Sequence, residues 1–444
     1  MIRKVDLRTR ALADAFASGK LSRRDFITRL MALGVAAPIA AGLSMEIRRA
    51  SAAGLKGNVR LLVGPWSDGE VDHHKHIAEG FKAMNPDVTF DFRLYQWDTA
   101  AQEINTSVAQ GAHDIYMTTE SSYPDYESGT GFADLTARIN DPSFAAEKAK
   151  YLYWDRTESY GSKLLGLPIS WHVEDALFVN MDMVNKAGYD ETFVDKWETF
   201  HDCCAKMTKK GETYGAGFGI QIGGYGEWYQ VLRGAGGSYL TADKKAPNVN
   251  LPDVIAATER MAALFKDGIA PPLGTYSYDA APAAFAAGKM ATLTIDLAAT
   301  TVLPNPVPFK WKLLPHPPGP AAQVNFNDVT YYMVNAKSGD QNLMWEVLKW
   351  WTSGENDAYW ADNSGTYPAR SDAADKGYGK NAAPQLAEAL PVYVKHAVGL
   401  ENFAQWADVE NQAEAEIQNC YSGKESAQDA VANVEKIVKH EVGL

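Results

Sequence analysis

The sequence predicts an α/β fold in which helices cover a parallel sheet, and three observations support this prediction. The chain has 444 residues, 46% of them apolar, so it can bury the cores of two or three domains. Near its start, segments with the pattern of strands take turns with segments of helical spacing. The three cysteines have no C-x-x-C spacing, which argues against a disulfide framework and a cysteine zinc site. We therefore expect a chain that folds around apolar cores rather than crosslinks.

The order of the first elements indicates how the sheet is built. A strand, a helix, a strand, a helix and a strand follow one another, with Gly64-Pro65 after the first strand and Gly111 after the second helix. This order is typical of a parallel sheet, whose ligands bind at the carboxyl ends of the strands. The predicted strands are residues 58–63, 88–94 and 114–119, and the predicted helices are residues 71–84 and 99–110.

Aromatic, hydroxyl and acidic side chains follow these predicted strands. An aromatic face beside polar groups suits a sugar, because a sugar ring has an apolar CH face and a rim of hydroxyls. The strand ends therefore predict a carbohydrate site, although each aromatic ring could equally belong to the core. The residues concerned are Trp66 and Asp68, then Trp97, then Thr119, Ser121 and Ser122.

The charge is unevenly distributed along the chain. The formal net charge is −13, which gives no reason to expect nucleic-acid binding. Residues 1–53 nevertheless carry ten basic and four acidic side chains, so the remainder has a charge of about −19. A basic segment therefore precedes an acidic globular protein.

The basic segment has the features of a cleaved export signal. Residues 22–27 closely resemble the twin-arginine motif, and the apolar residues 30–45 are too few to span a bilayer. Ala50-Ser51-Ala52 is a small-x-small triplet suited to signal peptidase. We therefore expect residues 1–52 to be a twin-arginine signal peptide, cleaved near Ala52, and the mature protein to reach the periplasm.

Twin-arginine export often serves proteins that fold around a cofactor before crossing the membrane, so a redox enzyme is a rival interpretation. The sequence contains no cysteine cluster and no haem motif. A dinucleotide fingerprint also fails, because Gly215, Gly217 and Gly219 are followed by Ile222. No cofactor is expected.

Several later segments form an ordered set of motifs. They are GSKLLGLP at 161–168, ALFVNMDMVNKAG at 176–188, KWETF at 196–200, AFAAGKMA at 284–291 and a tryptophan-rich helix at 345–351. Their order and spacing resemble those of bacterial ABC-transporter sugar-binding proteins, the extracellular solute-binding protein family 1 that includes maltose-binding protein. The resemblance covers essentially the whole mature chain.

The resemblance implies the type II fold of periplasmic binding proteins. In that fold two α/β lobes are joined by hinge strands and hold the ligand between them. The chain is expected to cross between the lobes near residues 168–172, near 325–328 and around residue 380. The implied lobes are residues 53–168 with 330–380, and residues 169–329 with 381–444.

The resemblance, together with the strand ends, also implies which residues line the cleft. Packing or hinge duty is the alternative for each of them. The implied ligand-binding residues are Trp66, Asp68, Trp97, Thr119, Ser121, Ser122, Trp171, His172, Gly224, Tyr225, Asp296, Asn327, Arg370 and Trp406.

The expected function is that of a periplasmic receptor that closes over a carbohydrate and delivers it to an inner-membrane ABC permease. The carbohydrate could be a sugar, an oligosaccharide, a polyol or a sugar derivative. Such a receptor acts as a monomer, performs no covalent chemistry and needs no metal.

Two other classes of function stay open. Asp68, Glu120 and Asp296 could supply the acid and the nucleophile of a secreted carbohydrate-active enzyme. A metal or anion receptor is the other class. Within the carbohydrate interpretation, His172 and Arg370 leave open an anionic sugar, such as a uronate, a phosphate ester or a sulfonate.

Two further groups of residues have simpler interpretations. His73, His74 and His76 could ligate a metal, but their place at the start of a polar helix favours exposure to solvent. Tyr331-Tyr332 is flanked by apolar residues, which favours a buried strand over a phenolate ligand pair.

Overall fold

The computed structural model describes Leu12 and residues 23–32, 55–67, 69–220 and 228–444. The predicted ligand residues Asp68, Gly224 and Tyr225 lie outside the described residues, as does the predicted cleavage site near Ala52. Within the described part of the chain, no helix is long and apolar enough to cross a membrane.

The strands are short and fall into two main sheets and one hairpin. Their bounds are β1 Gly57–Val63, β2 Val88–Leu94, β3 Ile115–Thr119, β4 Gly166–Val173, β5 Ala176–Asn180, β6 Ser238–Leu240, β7 Pro247–Asn248, β8 Thr292–Ile295, β9 Trp311–Leu314, β10 Asn325–Val334, β11 Tyr367–Pro368 and β12 Ala397–Val398.

Helices cover the sheets and follow most of the strands. Their bounds are α1 Arg23–Ala32, α2 Glu70–Met84, α3 Ala100–Gln110, α4 Tyr123–Ser128, α5 Thr136–Ile139, α6 Ala145–Lys148, α7 Trp154–Ser159, α8 Met181–Lys186, α9 Trp197–Met207, α10 Trp228–Gly234, α11 Pro252–Lys266, α12 Ala281–Ala286, α13 Gln341–Trp351, α14 Gly354–Ser364, α15 Pro384–His396, α16 Trp406–Tyr421 and α17 Ala427–Val442.

Local sequence accounts for several helix ends. The Asp340 side chain accepts hydrogen bonds from the backbone N–H groups of Asn342 and Leu343, at 3.0 and 2.9 Å, and so caps the start of α13. Gly111 ends α3 with a left-handed φ of 65°, a conformation that suits glycine. The predicted end of that helix at Gly111 is therefore confirmed.

The first sheet has the strand order β11-β4-β10-β3-β1-β2, with β12 beside β10. β1 pairs in parallel with both β2 and β3, which confirms the predicted parallel arrangement of the first three strands. β10 returns from much later in the chain and pairs antiparallel to both β3 and β4. The sheet is therefore mixed, and its centre is built from sequence segments more than 150 residues apart.

The second sheet has the order β8-β5-β9 and is antiparallel. The chain leaves the first sheet after Val173 and enters the second at Ala176. Pro168 lies within β4, opposite Tyr331, where the register with β10 shifts. Each sheet supports one α/β lobe, and the lobes meet near the end of β4.

The cores confirm some expectations from the sequence and correct one. Tyr331 and Tyr332 are fully buried in β10, and all three cysteines are free and buried, as predicted. His74, in contrast, is completely buried instead of exposed. Residues at positions 70, 74, 77, 78 and 81 of α2 are buried, and this spacing places His74 on the inward face of the helix.

Candidate functional site

A cluster of ionisable side chains lies where the two sheets approach each other. His172 is near the end of β4 and pairs across the strands with Asp328 on β10. Asp296 follows β8 of the second sheet, and Glu410 lies on α16, near enough to Glu174 and Asp328 for these two residues to raise the pKa of its carboxyl in addition to burial. Four separate elements therefore contribute to one buried group, and with Glu174 we call it the hinge cluster.

His172 is the positive member of the hinge cluster. Its Nε2 atom lies 3.1 Å from Glu174 Oε1 and 3.3 Å from Asp296 Oδ2. Burial lowers the pKa of this imidazole, but the carboxylates of Asp296 and Glu174 outweigh burial and raise the pKa to about 9. His172 is therefore a cation at neutral pH.

The carboxyl groups of Asp328 and Glu410 contain buried oxygens without hydrogen-bond partners among the described residues. Both residues are at most 1% exposed. Among the described residues, Asp328 Oδ2 and both carboxyl oxygens of Glu410 have no hydrogen-bond partner. Burial raises the pKa of each group well above its usual value, and the neighbouring Glu174 raises it further.

A second network of charged side chains lies beside the hinge cluster, in the first lobe. Glu120 is buried and accepts hydrogen bonds from Arg156 Nη2 and from the hydroxyl of Tyr160. Arg156 also donates to Oδ1 of Asn327, at 3.1 Å, and to its carbonyl oxygen, at 2.7 Å. The Glu120 backbone N–H donates to Asp328 Oδ1 at 2.8 Å. The guanidinium of Arg156 is thus hydrogen-bonded to Glu120 and Asn327.

An aromatic wall borders the hinge cluster on the side of the first lobe. The ring of Trp66 lies edge to face with those of Trp97 and His172, at centroid distances of 5.2 and 4.6 Å. Trp66 is 9% exposed and its Nε1 has no partner among the described residues, whereas Trp97 is 39% exposed. Gly64 permits this arrangement, because a Cβ there would lie 2.9 Å from the Trp97 ring.

The loop after β3 lies close to the same region. The hydroxyls of Thr119 and Ser121 are 2.7 Å apart, and Ser121 is buried. The segment Glu120–Ser122 contacts α16, the helix that carries Glu410. The structure therefore brings Thr119, Ser121 and Ser122 to the boundary between the lobes.

The other predicted ligand residues are placed differently. Trp171 is 1% exposed, and its ring lies 4.6 Å from that of Tyr367. Trp406 is fully buried, with its ring 5.5 Å from Tyr229. Both rings lie in packed cores next to the hinge cluster.

Arg370 is not brought to the cluster. Its guanidinium donates to the carboxylates of Glu147 and Asp372, both at 2.9 Å, and to the carbonyl of Thr352, at 3.4 Å. It also lies 4.9 Å above the Tyr151 ring. His172 and Arg370, which the sequence leaves open as contacts for an anionic sugar, each lie beside separate carboxylates in this structure.

Three hinge-cluster residues have the chemistry of metal ligands. One ligand atom each from His172, Glu174 and Asp296 can be chosen so that all lie within 4.8 Å of one another. The Nδ1 atom of His172 has no partner among the described residues. Metal-binding histidines usually donate this second nitrogen to an acceptor, so the surroundings of His172 match a metal site only in part.

His172 and Asp296 were predicted from the sequence as ligand-binding residues, whereas the other three members of the hinge cluster were not. Glu174 lies two residues after His172, a spacing that places both side chains on the same face of an extended strand. Glu410 lies four residues after Trp406, on the same side of a helix. Asp328 directly follows Asn327 in the predicted crossing segment. Each of the three therefore lies within four residues of a predicted one, although its place in the cluster depends on long-range packing.

Two α/β lobes with a buried, partly unpartnered polar cluster between them define a two-lobed solute-binding protein of the type II fold. The model of the bacterial extracellular solute-binding protein family matches residues 76–388, and the chain belongs to that family. A binding protein of Brucella abortus (strain 2308) is 24% identical over 416 residues, which cover 91% of this chain and 98% of that protein.

Solved structures share the fold at low sequence identity. An ABC substrate-binding protein of Listeria monocytogenes, in complex with cycloalternan, has a TM-score of 0.76 and 19% identity and covers 88% of this chain and 100% of its own. Maltose-bound MalE3 of T. maritima has a TM-score of 0.74 and 20% identity and covers 86% of this chain and 99% of its own. These similarities establish the two-lobed architecture.

Proposed function

We propose that the protein is the exported receptor of an ABC importer and that it binds a carbohydrate between its two lobes. The observation that carries this proposal is the set of buried polar atoms without protein partners beside the tryptophan wall. Buried polar groups are nearly always hydrogen-bonded, so a concentration of unpaired ones in a cleft indicates a ligand that supplies the partners. The atoms are Trp66 Nε1, His172 Nδ1, Asn327 Nδ2, Asp328 Oδ2 and both oxygens of Glu410.

A carbohydrate matches both components of this site. Its hydroxyls can donate to the carboxyl oxygens and accept from the indole and imidazole N–H groups. The apolar face of a sugar ring can pack on Trp97, which is exposed at the border of the cleft. The ligands bound in the two structural neighbours, cycloalternan and maltose, belong to the same chemical class.

Contacts from two lobes explain how binding could signal to a permease. Trp66 comes from the first lobe, Asp296 from the second, and His172 from a strand between them. A ligand favours the closed arrangement only if it interacts better with that arrangement, and contacts from both lobes provide such a difference. Micromolar affinity requires about −8 kcal/mol, which a few buried hydrogen bonds and ring contacts can supply.

The remaining details of the sequence prediction belong to this proposal. The twin-arginine signal at residues 1–52 would send the folded receptor to the periplasm as a monomer. The lobes would be residues 53–168 with 330–380, and residues 169–329 with 381–444. The predicted ligand residues Asp68, Gly224 and Tyr225 would line the cleft together with Trp66, Trp97 and His172.

A melting-temperature screen of the full-length protein tests the proposal. The panel contains neutral mono- and oligosaccharides, polyols, sugar acids, sugar phosphates and amino sugars. A true ligand at one hundred times its Kd stabilises the folded state by about 2.7 kcal/mol, so at least one carbohydrate should raise the Tm in a concentration-dependent manner. If a peptide, polyamine or metal raises the Tm and no carbohydrate does, the proposed function is wrong.

Calorimetry with two aromatic variants then locates the binding site. Trp97→Ala should weaken binding of the active carbohydrate about tenfold, because it removes the exposed ring of the wall. Tyr189→Ala is the matched control, since its ring packs against Lys206 on the surface of the second lobe, 4.6 Å from the ammonium. Equal affinities for the two variants would contradict a ligand beside Trp97.

A further inference from the structure

We propose that Gly365 is a positioning residue for closure of the cleft. Because it has no side chain, a turn of the second lobe, Leu297–Thr301, can pack against the first lobe, and the cleft closes fully only when this contact forms. The inference rests on the proposed function, in which the ligand binds between the lobes. It adds a residue that sets the affinity without touching the ligand.

The turn Leu297–Thr301 brings the two lobes into direct contact. It follows β8 of the second sheet, and it contacts both α14 and β4. These two elements belong to the first lobe, since β4 is a strand of the first sheet and Trp360 of α14 is fully buried in the same core as Val63 of β1. A movement of one lobe against the other therefore acts on this contact.

Gly365 lies at the point of closest approach between α14 and the turn. It ends α14 with a left-handed φ of 71°. A Cβ at this position would lie 2.5 Å from Oγ1 of Thr300, 2.9 Å from Cγ2 of Thr301 and 3.2 Å from Cα of Ala298. Packed atoms do not approach this closely, so even a methyl group fits only if the turn moves away.

The turn is held in place by its own hydrogen bonds. The hydroxyl of Thr301 donates to the carbonyl of Ala298 at 2.8 Å, which fixes the methyl group of this threonine. Asp296 Oδ1 accepts from the backbone N–H of Ala298 at 2.5 Å, and its Oδ2 lies 3.3 Å from Nε2 of His172. A displaced turn would therefore draw Asp296 away from the hinge cluster. A side chain at position 365 thus acts on the arrangement of the lobes.

A second glycine provides a matched control. Gly268 follows α11 with a φ of 70°, and a Cβ there would meet nothing within 4 Å. Gly365→Ala and Gly268→Ala therefore add the same methyl group with the same backbone strain, and only Gly365→Ala adds it between the lobes.

Calorimetry of the full-length variants with maltose, cellobiose and trehalose tests the inference. For each sugar that binds the wild type, Gly365→Ala should raise the Kd at least about tenfold, because the closed, binding-competent state is less populated. Gly268→Ala should keep the wild-type Kd. Equal Kd values for Gly365→Ala and Gly268→Ala would overturn the inference.

A compensating pair of substitutions separates the contact from backbone strain. Thr300→Ala with Thr301→Ser removes the two atoms nearest to the added methyl group and keeps the hydroxyl that bonds to Ala298. Adding Gly365→Ala to this pair should change the Kd of the pair by no more than about threefold, since contacting residues are not additive. A full tenfold loss in this background would show that strain alone weakens binding, and the inference would be wrong.

A crosslink tests the contact without any sugar. Gly365→Cys with Thr300→Cys places two thiols within reach of a disulfide, so mild oxidation should leave only the three natural cysteines as free thiols. Reduction should then raise the radius of gyration in small-angle X-ray scattering as the cleft opens. If no disulfide forms, or if reduction leaves the radius of gyration unchanged, the inference is wrong.

These outcomes are distinct from failure of the proposed function. If no carbohydrate binds the wild type but reduction of the crosslinked protein opens the cleft, the proposed function is wrong and the role of Gly365 in closure stands. If carbohydrates bind equally well to Gly365→Ala and the wild type, the proposed function stands and the role of Gly365 is wrong. If the double cysteine variant does not fold, the alanine variants decide.

Discussion

Two buried histidines in this protein have very different surroundings. In the first lobe, His74 Nε2 lies 2.9 Å from Glu70 Oε1, and His74 Nδ1 accepts a hydrogen bond from Trp351 Nε1 at 3.2 Å. Trp360 Nε1 donates to the same Glu70 oxygen at 2.8 Å. At the hinge, His172 faces several carboxyl groups, and its Nδ1 has no partner among the described residues.

The comparison separates structural from functional polar groups. In the His74 group, Trp351 and Trp360 donate hydrogen bonds to His74 Nδ1 and Glu70 Oε1, so the lobe supplies partners for these two atoms without a ligand. His74 Nε2 lies 2.9 Å from Glu70 Oε1 but does not have hydrogen-bond geometry. The hinge cluster has several buried polar atoms without partners among the described residues, so it gains most from a ligand. Natural proteins often leave such local imbalance at functional sites and accept a cost in stability there.

The largest expected effect comes from breaking the His74 group. Trp351 is fully buried, and Trp351→Ala should lower the free energy of unfolding by about 3–5 kcal/mol through lost packing. It should leave the ligand affinity of the folded protein unchanged. Chemical denaturation followed by fluorescence measures the loss. Trp97→Ala is the counterpart, with a small effect on stability and a large one on affinity, and the reverse pattern would contradict the comparison.

The next largest effect is a dependence of the free energy of unfolding on pH, which arises from His172 in the hinge cluster. The pKa of His172 is raised to about 9. Its protonation therefore stabilises the folded state fully below the unfolded pKa of about 6.5, and this stabilisation is lost as the pH rises through 9. The ligand-free protein should therefore lose about 2–3 kcal/mol between pH 7 and 9.5. His172→Gln should remove most of this slope in denaturation measured across that range. A wild-type slope that persists in His172→Gln would show that His172 is not protonated in the folded state.

The first sheet was predictable because its early elements carry local periodicity. The predicted strand at 88–94 matches β2 in both bounds, and the helix at 71–84 matches α2 to within one residue. Exposure was harder to predict, as His74 shows. His74 is buried because Phe92 of β2 stacks on its ring and Trp351, from a distant segment, hydrogen-bonds to it.

The hinge cluster was predictable only in part because it depends on long-range pairing. His172 and Asp296 were both predicted, and their side chains lie 3.3 Å apart although the residues are far apart in sequence. The position of Asp328 opposite His172 depends on the antiparallel register of β4 and β10, which no local pattern encodes. Arg370 was predicted for the cleft, but the nearby Asp372 and the distant Glu147 hold it elsewhere.

Paired substitutions of Glu70 and Glu410 test the central claim most directly. Glu70→Gln should lower the free energy of unfolding by about 2 kcal/mol, because it removes a buried carboxylate that accepts a hydrogen bond from Trp360 and lies 2.9 Å from His74. Glu410→Gln should leave the unfolding free energy unchanged or raise it by about 1 kcal/mol, since it removes an unpartnered buried carboxyl, and it should weaken ligand binding. If Glu410→Gln destabilises the protein as much as Glu70→Gln does and binds ligand normally, the hinge cluster is structural and the account is wrong.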